Sequence, residues 1–354
     1  MIPAPQPWSE PCERSNWAIT PAPRGLTLTT AETPRPTDDE ILLQVEAVGV
    51  NFPDLLMTKG LYQHRPALPV VPGCEVAGTV ASAPEGSGWQ AGDRAAAFVW
   101  QGGFAEQAVV PANSLVPTPD SVSFETAAAM VVNYHTVHFA LSRRGGLTPG
   151  ETVLVMGAAG GVGTAAVQVA KGLGARVVAG VSASHRTHIA EAAGADETVV
   201  LEPGFATTIR EMTGGRGVDV VLDPVGDWLF GEAVRSLAPE GRLLVVGFAA
   251  GKIPSIEVNR LLLRNISVVG AAFGAFLEVD SRLMKQQAAS LERMIADGVV
   301  DPYVGARFEF EDLPRALECL DRGEIEGKAV VLTGQMHARS NSPASIICSQ
   351  RPRT

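Results

Sequence analysis

An α/β fold organised around a parallel, doubly wound sheet is predicted by three observations. They are an apolar strand that runs through a glycine-rich turn into a helix, further apolar strands at βαβ spacing after it, and a strand-rich first third of the chain. The first is the most specific. In residues 151–170, ETVLVMGAAGGVGTAAVQVA, the run Val153, Leu154, Val155 and Met156 has the continuous apolar pattern of a strand buried on both faces. Residues 164–173 are rich in Ala, Val and Gln with no breaker before Gly172, so a helix is expected there. Between strand and helix, Gly160, Gly161 and Gly163 remove Cβ atoms where a backbone can pass close to a ligand, and the first amides of the helix are placed to meet phosphate. Ala158 replaces the first glycine of the G-x-G-x-x-G fingerprint, so the turn alone is also compatible with an ordinary strand-to-helix connection.

The strands that follow favour the ligand-binding reading. Residues 176–181, 218–222 and 242–246 are apolar runs at βαβ spacing, punctuated by Gly217, Gly241 and Gly247, and together they outline a Rossmann unit. The end of its second strand bears on the cofactor. A carboxylate roughly 20 residues after the glycines would hold the ribose 2′-hydroxyl of NAD and repel a 2′-phosphate. The chain instead reads Val181, Ser182, Ala183, Ser184, His185, Arg186, whose hydroxyls and guanidinium suit the phosphate of NADPH. The competing reading makes Ser182 a helix N-cap and Arg186 a surface charge.

Ahead of this unit, residues 1–40 are rich in proline and threonine, and 40–48 alternate as a strand. Short strand-like runs at 76–81, 94–99 and 105–110 recur between Gly, Pro and Asp, and residues 127–141 are the first convincing helix. After the Rossmann unit, which ends near Gly270, helices are expected at 283–298 and 308–320 and a last strand at 328–333. Residues 335–354 are polar and irregular, with nothing to bury them, and are expected to be disordered.

A chain of 354 residues with 46% hydrophobic content exceeds one core and can fill two. The net charge of −10 and pI near 5.2 argue against nucleic acid or an anionic membrane surface as partner. The uncharged window 152–170 reaches membrane-span length, but its four glycines belong to the strand–turn–helix unit. The N-terminus, MIPAPQPWSEPCERS, has acidic residues and prolines where a signal peptide needs a charged start and an apolar block, so a cytoplasmic protein is expected. Cys12, Cys74, Cys319 and Cys348 are scattered singly and read as thiols, not as a disulfide framework. His135 with His138, and His185 with His188, have helical metal-ligand spacing but no further ligand to complete a site, so no metal is expected.

Several motifs together carry a resemblance: AVGVNFPDLLMTKGLY at 47–62, VPGCEVAGT at 71–79, AAGGVG at 158–163, DPVG at 223–226 and GRLLVVGFAAG at 241–251. From about residue 40 to 333 the sequence resembles the medium-chain dehydrogenase/reductase superfamily, and within it the zinc-independent NADPH:quinone oxidoreductase branch. The resemblance implies a GroES-like β-barrel catalytic domain from residues 1–132 and 272–334, a Rossmann domain at 133–271, and NADPH in the cleft between them. It implies cofactor contacts at Asn133, Ala159, Gly160, Gly161, Val162, Gly163, Ser182, Arg186, Gly247, Phe248 and Phe273. Relatives that use zinc place a Cys within 48–51, a His-Glu pair and a further Cys in the interdomain helix. Here Cys74-Glu75 stands at the pair, and 48–51 and 129–133 hold no Cys.

Without that Lewis acid, the implied reaction is hydride transfer from NADPH to a quinone or an α,β-unsaturated carbonyl, with protonation from solvent or a nearby hydroxyl. By resemblance, Asn51 lies near the nicotinamide and could hydrogen-bond the acceptor's oxygen, and Tyr62 could donate a hydrogen bond or wall the pocket. The plainer readings are that Asn51 caps a turn before Pro53, that Tyr62 is a barrel residue, and that Asp54 caps the short helix after it instead of relaying protons. Asn133 stands where relatives often carry Thr, and Leu201 where many have Tyr. Phe248 takes the place of a lysine common in enoyl reductases, which weakens the alternative of an enoyl-thioester reductase; a non-catalytic NADPH-binding protein is the other alternative. A homodimer paired through the apolar edge strand at 266–271 is expected.

Overall fold

The computed structural model describes residues 13–19 and 25–333. The residues 335–354 expected to be disordered, together with Cys12 and Cys348, lie outside the described residues. The first elements among the described residues are β1 (Glu13–Ile19) and β2 (Leu26–Glu32), an antiparallel pair in a region where the sequence promised no regular strand. Five strands follow: β3 (Glu40–Val50), β4 (Glu75–Ser82), β5 (Arg94–Phe98), β6 (Gln107–Pro111) and β7 (Leu115–Pro117). Next come β8 (Thr152–Met156), β9 (Arg176–Val181), β10 (Glu197–Val200), β11 (Val218–Asp223), β12 (Leu237–Val245) and β13 (Ser267–Gly270). The last two are β14 (Val304–Glu309) and β15 (Lys328–Leu332).

Strands β8 to β13 form a parallel six-stranded sheet in the order β10-β9-β8-β11-β12-β13. The apolar runs at β8 and β11 are fully buried in its centre, as continuous hydrophobic strands with helices on both faces require. The other seven strands form a mostly antiparallel sheet ordered β14-β15-β3-β4-β5-β7, with β6 also on β3, so strands from both ends of the chain share one layer. Their alternating side chains make a second core around Ile41, Leu43, Val76, Ala97 and Val331.

Two helical expectations need correction. Residues 308–320 are not one helix: Phe308 lies in β14, and the helix starts only at Leu313. Pro314 explains this, because a residue with no N–H is tolerated in the first turn and not in the middle of a helix. Residues 127–141 are also broken. Besides the short α1 (Phe52–Thr58), the chain forms α2 (Phe124–Ala128) and α3 (Val131–His138), followed by a wider π-helical segment, Phe139–Arg144. At the break, the Val132 N–H leaves the helical ladder and donates to the buried carboxylate of Glu75 at 2.8 Å. The helix after the glycine turn, α4 (Gly161–Gly172), begins three residues earlier than the composition indicates.

Candidate active site

The glycine turn joins β8 to α4. Gly157 takes a left-handed φ of +64°, and Gly160 is the N-cap of α4 in extended backbone. The three glycines differ in purpose. A Cβ on Gly163 would lie 2.1 Å from the Gly157 carbonyl oxygen, so this glycine lets the helix pack on its own turn. A Cβ on Gly160 would meet only that same oxygen, at 3.6 Å, which leaves its outer side open. Gly161 faces Asn133, whose Nδ2 would be 2.7 Å from a Cβ there. The amides that open α4 lack intrahelical acceptors and present partial positive charge to this open side, so the residues present fit a nucleotide phosphate.

Three segments that are distant in sequence meet beneath the turn. Gly49 is near the end of β3 and Asn51 just beyond it, Asp54 sits in α1, Cys74 immediately precedes β4, which Glu75 opens, and Lys328 opens β15. Glu75 is completely buried and Lys328 is 4% exposed. The Lys328 ammonium donates to Glu75 Oε2 at 2.6 Å and to Asn51 Oδ1 at 2.5 Å. Asn51 Nδ2 donates to Glu75 Oε2 at 3.0 Å and to the Gly49 carbonyl at 3.1 Å. Gly49 makes room for this arrangement, since a Cβ there would be 2.4 Å from Glu75 Oε2. The cluster and the turn are tied together, because Gly327 N–H donates to the Ala159 carbonyl at 2.8 Å and the next residue is Lys328. A hydrophobic strand opening with lysine, and a glutamate inside VPGCEVAGT, were the sequence signals for this pair, but nothing local linked them.

Asn51 occupies the N-cap of α1, yet its side chain points into the ionic cluster, with both amide protons engaged there. Asp54 does what the plainer reading expected with one oxygen only: Oδ2 accepts the Asn51 N–H at 2.8 Å. Among the described residues, no N–H or O–H donates to its buried Oδ1. Burial is the main cause that pushes the Asp54 carboxyl up to about 7; the Asn51 N–H, the Cys74 thiol and Lys328 pull the other way, and Glu75 adds to the rise. Burial likewise raises the Cys74 thiol, with Asp54 and Glu75 contributing. Tyr62 is half-buried against Met57 and Val70, and its phenol is pushed up to about 12 by burial and by the nearby Cys74 and Asp54.

The remaining predicted residues take varied positions. Ala159 and Val162 are in the turn and the first turn of α4. Ser182 is exposed at the end of β9; Ala183, not Ser182, is the N-cap of the short 3₁₀ turn that follows. Arg186 donates to the Gly323 carbonyl at 2.5 Å, a reach from the Rossmann sheet to the far end of the chain. Gly247 and Phe248 pack over the turn after β11: the Gly247 N–H donates to the Asp223 carbonyl at 3.4 Å, and the Phe248 ring faces Gly226. Phe273 is buried in an aromatic wall, 6.1 Å from Phe98 and stacked 6.0 Å from His135, while Trp100 sits edge-on to Phe98 at 5.2 Å. Among the described residues, no three His, Cys, Asp or Glu side chains are placed to hold a metal.

An apolar cavity of about 250 Å³ lies elsewhere, lined by Ala96, Val122, Met130, His135, Leu291 and Ile295. Val131 and His135 share the face of α3 that lines it, whereas Asn133 is turned towards Gly161, so the cavity is across α3 from the glycine turn.

Comparison with known proteins agrees with this layout. The family described as "Alcohol dehydrogenase GroES-like domain" matches residues 37–120, and "Zinc-binding dehydrogenase" matches residues 161–290. The bovine (Bos taurus) "Quinone oxidoreductase-like protein 2" is 36% identical over 84% of this chain and 87% of its own length. The chain belongs to the zinc-independent, quinone oxidoreductase-like family of the medium-chain dehydrogenase/reductase superfamily. A probable oxidoreductase from Mycobacterium abscessus superposes with a TM-score of 0.84 at 45% identity, covering 92% of this chain and 100% of that one. The Escherichia coli quinone oxidoreductase complexed with NADPH gives a TM-score of 0.82 at 27% identity, covering 91% of this chain and all of that one.

Proposed function

We propose that the protein is an NADPH-dependent reductase of quinones or α,β-unsaturated carbonyls that works without zinc. The observation that carries this reading is the join at Gly327–Lys328, which sets the phosphate-compatible turn directly against a buried polar cluster with a tyrosine at its rim. Bound NADPH supplies the hydride. The amides of Gly161, Val162 and Gly163 hold the diphosphate, Ser182 and Arg186 take the 2′-phosphate, and Asn133, Gly247 and Phe248 line the cofactor's path. Among the described residues the Arg186 guanidinium is held by a backbone carbonyl, a partner that a phosphate outcompetes.

The acceptor lies between Tyr62 and the aromatic wall of Phe98, Trp100 and Phe273, where flat rings find flat partners. Asn51 has no amide proton to spare, so it acts by fixing Lys328 and Glu75, and Tyr62 is left to hydrogen-bond the acceptor's oxygen. The buried Cys74 and Cys319 thiols fit a reducing compartment such as the cytoplasm, and among the described residues no helix is long and apolar enough to cross a membrane. We also propose a homodimer through β13. This edge strand adjoins the helix Asn259–Arg264, whose Leu262 and Leu263 are 74% and 79% exposed. The test is NADPH oxidation with benzoquinone, phenanthrenequinone and a simple enone, each repeated with NADH and with a chelator. NADPH-selective, chelator-resistant turnover supports the reading; stoichiometric NADPH binding without turnover of any acceptor overturns it.

A further inference from the structure

We propose that the cavity on the far face of α3 is a second ligand site, which takes a small uncharged phenol whose hydroxyl donates to His135 Nε2. The site does not depend on the reductase reading, because the cavity lies across α3 from the glycine turn. It holds about 250 Å³, and its apolar walls include Val116 of β7, Met130 at the start of α3, and Leu291 and Ile295 of the helix Leu283–Ala296. The polar side chains around it are His135 and Thr118, both buried, and Ser121 and Glu292, both exposed and therefore at its mouth.

His135 is 4% exposed, and its ring is held from two sides. Nδ1 lies 2.9 Å from Gln287 Oε1, and Gln287 Nε2 donates to the His135 carbonyl at 3.1 Å. Turning that amide over would set its oxygen against the carbonyl oxygen, so the amide oxygen faces Nδ1 and Nδ1 carries the proton. One face of the ring stacks on Phe273 at 6.0 Å. Burial keeps the imidazole neutral, lowering it to about 4 although Gln287 pulls it upwards. Nε2 is therefore a bare acceptor, and among the described residues no N–H or O–H donates to it. With Nδ1 given to Gln287 and one face to Phe273, the Nε2 edge and the opposite face are what the ring presents to the cavity it lines.

That edge selects the ligand. An acceptor left unpaired among apolar side chains is costly, and a ligand O–H removes the cost. A water molecule on Nε2 would leave the apolar walls uncovered, whereas a phenol covers them with its ring. A dry apolar cavity of about 150 Å³ is enough for benzene. The larger volume here takes one aromatic ring with a short substituent, and the open imidazole face gives that ring a stacking partner. Glu292 at the mouth disfavours an anion, which favours an uncharged phenol over a benzoate.

The probes are p-cresol and p-xylene, which share a shape and differ by a hydroxyl in place of a methyl. Calorimetric titrations are run with NADPH in excess on the parent, His135→Phe and Ala288→Leu. Ala288 lines the cavity, and a leucine there fills it. The parent should bind p-cresol at least tenfold more tightly than p-xylene. His135→Phe, which keeps a ring and loses the acceptor, should bind p-xylene at least as well as p-cresol. Ala288→Leu should weaken both by more than tenfold. NMR contacts from p-cresol to the methyls of Met130 and Leu291 in the parent should locate it without relying on either variant. No binding of p-cresol, equal binding of the two probes by the parent, displacement of p-cresol by NADPH, or p-cresol away from Met130 and Leu291 would each overturn the site and leave the reductase reading untouched.

Discussion

The glycine turn at residues 157–163 and the buried cluster of Asn51, Asp54, Cys74, Glu75 and Lys328 meet at Gly327, but they are specified over very different distances in sequence. The turn is contiguous: its strand, its glycines and the helix amides follow one another, and local backbone rules are enough to form it. The cluster exists only after β15 has docked on β3 and β3 on β4, since the Lys328–Glu75 pair spans 253 residues and the Lys328–Asn51 contact 277. A contiguous motif can therefore be damaged locally, whereas damage to the cluster is felt by the whole sheet.

Substitutions at the cluster should show the largest effects. Lys328→Met leaves the Glu75 carboxylate buried without its cation, and chemical denaturation should record a loss of about 3–5 kcal/mol. Adding Glu75→Gln, which can still accept the Val132 N–H, should restore most of that loss; a double variant as unstable as the single one would mean the pair is not coupled.

The far side of α3 sharpens the contrast through pH. His135 is buried beside Gln287, and burial lowers its imidazole to about 4 from 6.5. A basic group with a lowered folded value stays neutral in the native state, so its contribution is intact above pH 6.5 and is lost as pH falls towards 4. The loss should approach about 3 kcal/mol, and His135→Leu should remove that slope. Asp54 runs the opposite way, because its raised carboxyl stabilises the fold below pH 4 and loses that contribution as pH rises through about 7. Urea titrations of the parent and Asp54→Asn between pH 4 and 8 would separate the two slopes.

Within the turn, Gly163→Ala forces a 2.1 Å contact and should destabilise by about 1–3 kcal/mol. Gly160→Ala should leave the melting temperature unchanged and weaken NADPH binding, read by fluorescence titration, because its Cβ points into open space. If both variants behaved alike, the division between a packing glycine and a ligand-facing glycine would fail. The smallest expected effect is at Arg186→Ala: about a tenfold rise in the Kd for NADPH, with NADH binding unchanged, the worth of one charge-assisted hydrogen bond.

What could be read in the sequence follows the same division. The strands of the Rossmann sheet, the turn and the two-ended antiparallel sheet were legible, because each is announced by periodicity, by glycine or by family motif. The Glu75–Lys328 pair was not, since a buried charge reveals its partner only through strand order. The break in residues 127–141 was hidden for the same reason: Val132 abandons its helical hydrogen bond for a carboxylate 57 residues away. Pro314 was a local signal, and it marks where the helix after β14 begins. Asp54 could be read as a cap or as a relay group; one of its oxygens accepts the capping N–H and the other is buried apart from it, a division that sequence does not resolve.

The most direct test of the account is a single-turnover reaction of the chelator-treated protein with NADPH deuterated at the nicotinamide C4 and an enone acceptor, the product analysed by mass spectrometry and NMR. Deuterium on the product's β-carbon, with solvent supplying the second hydrogen, is the predicted result. Labelled NADPH that stays bound and intact with the enone and with both quinones would contradict it.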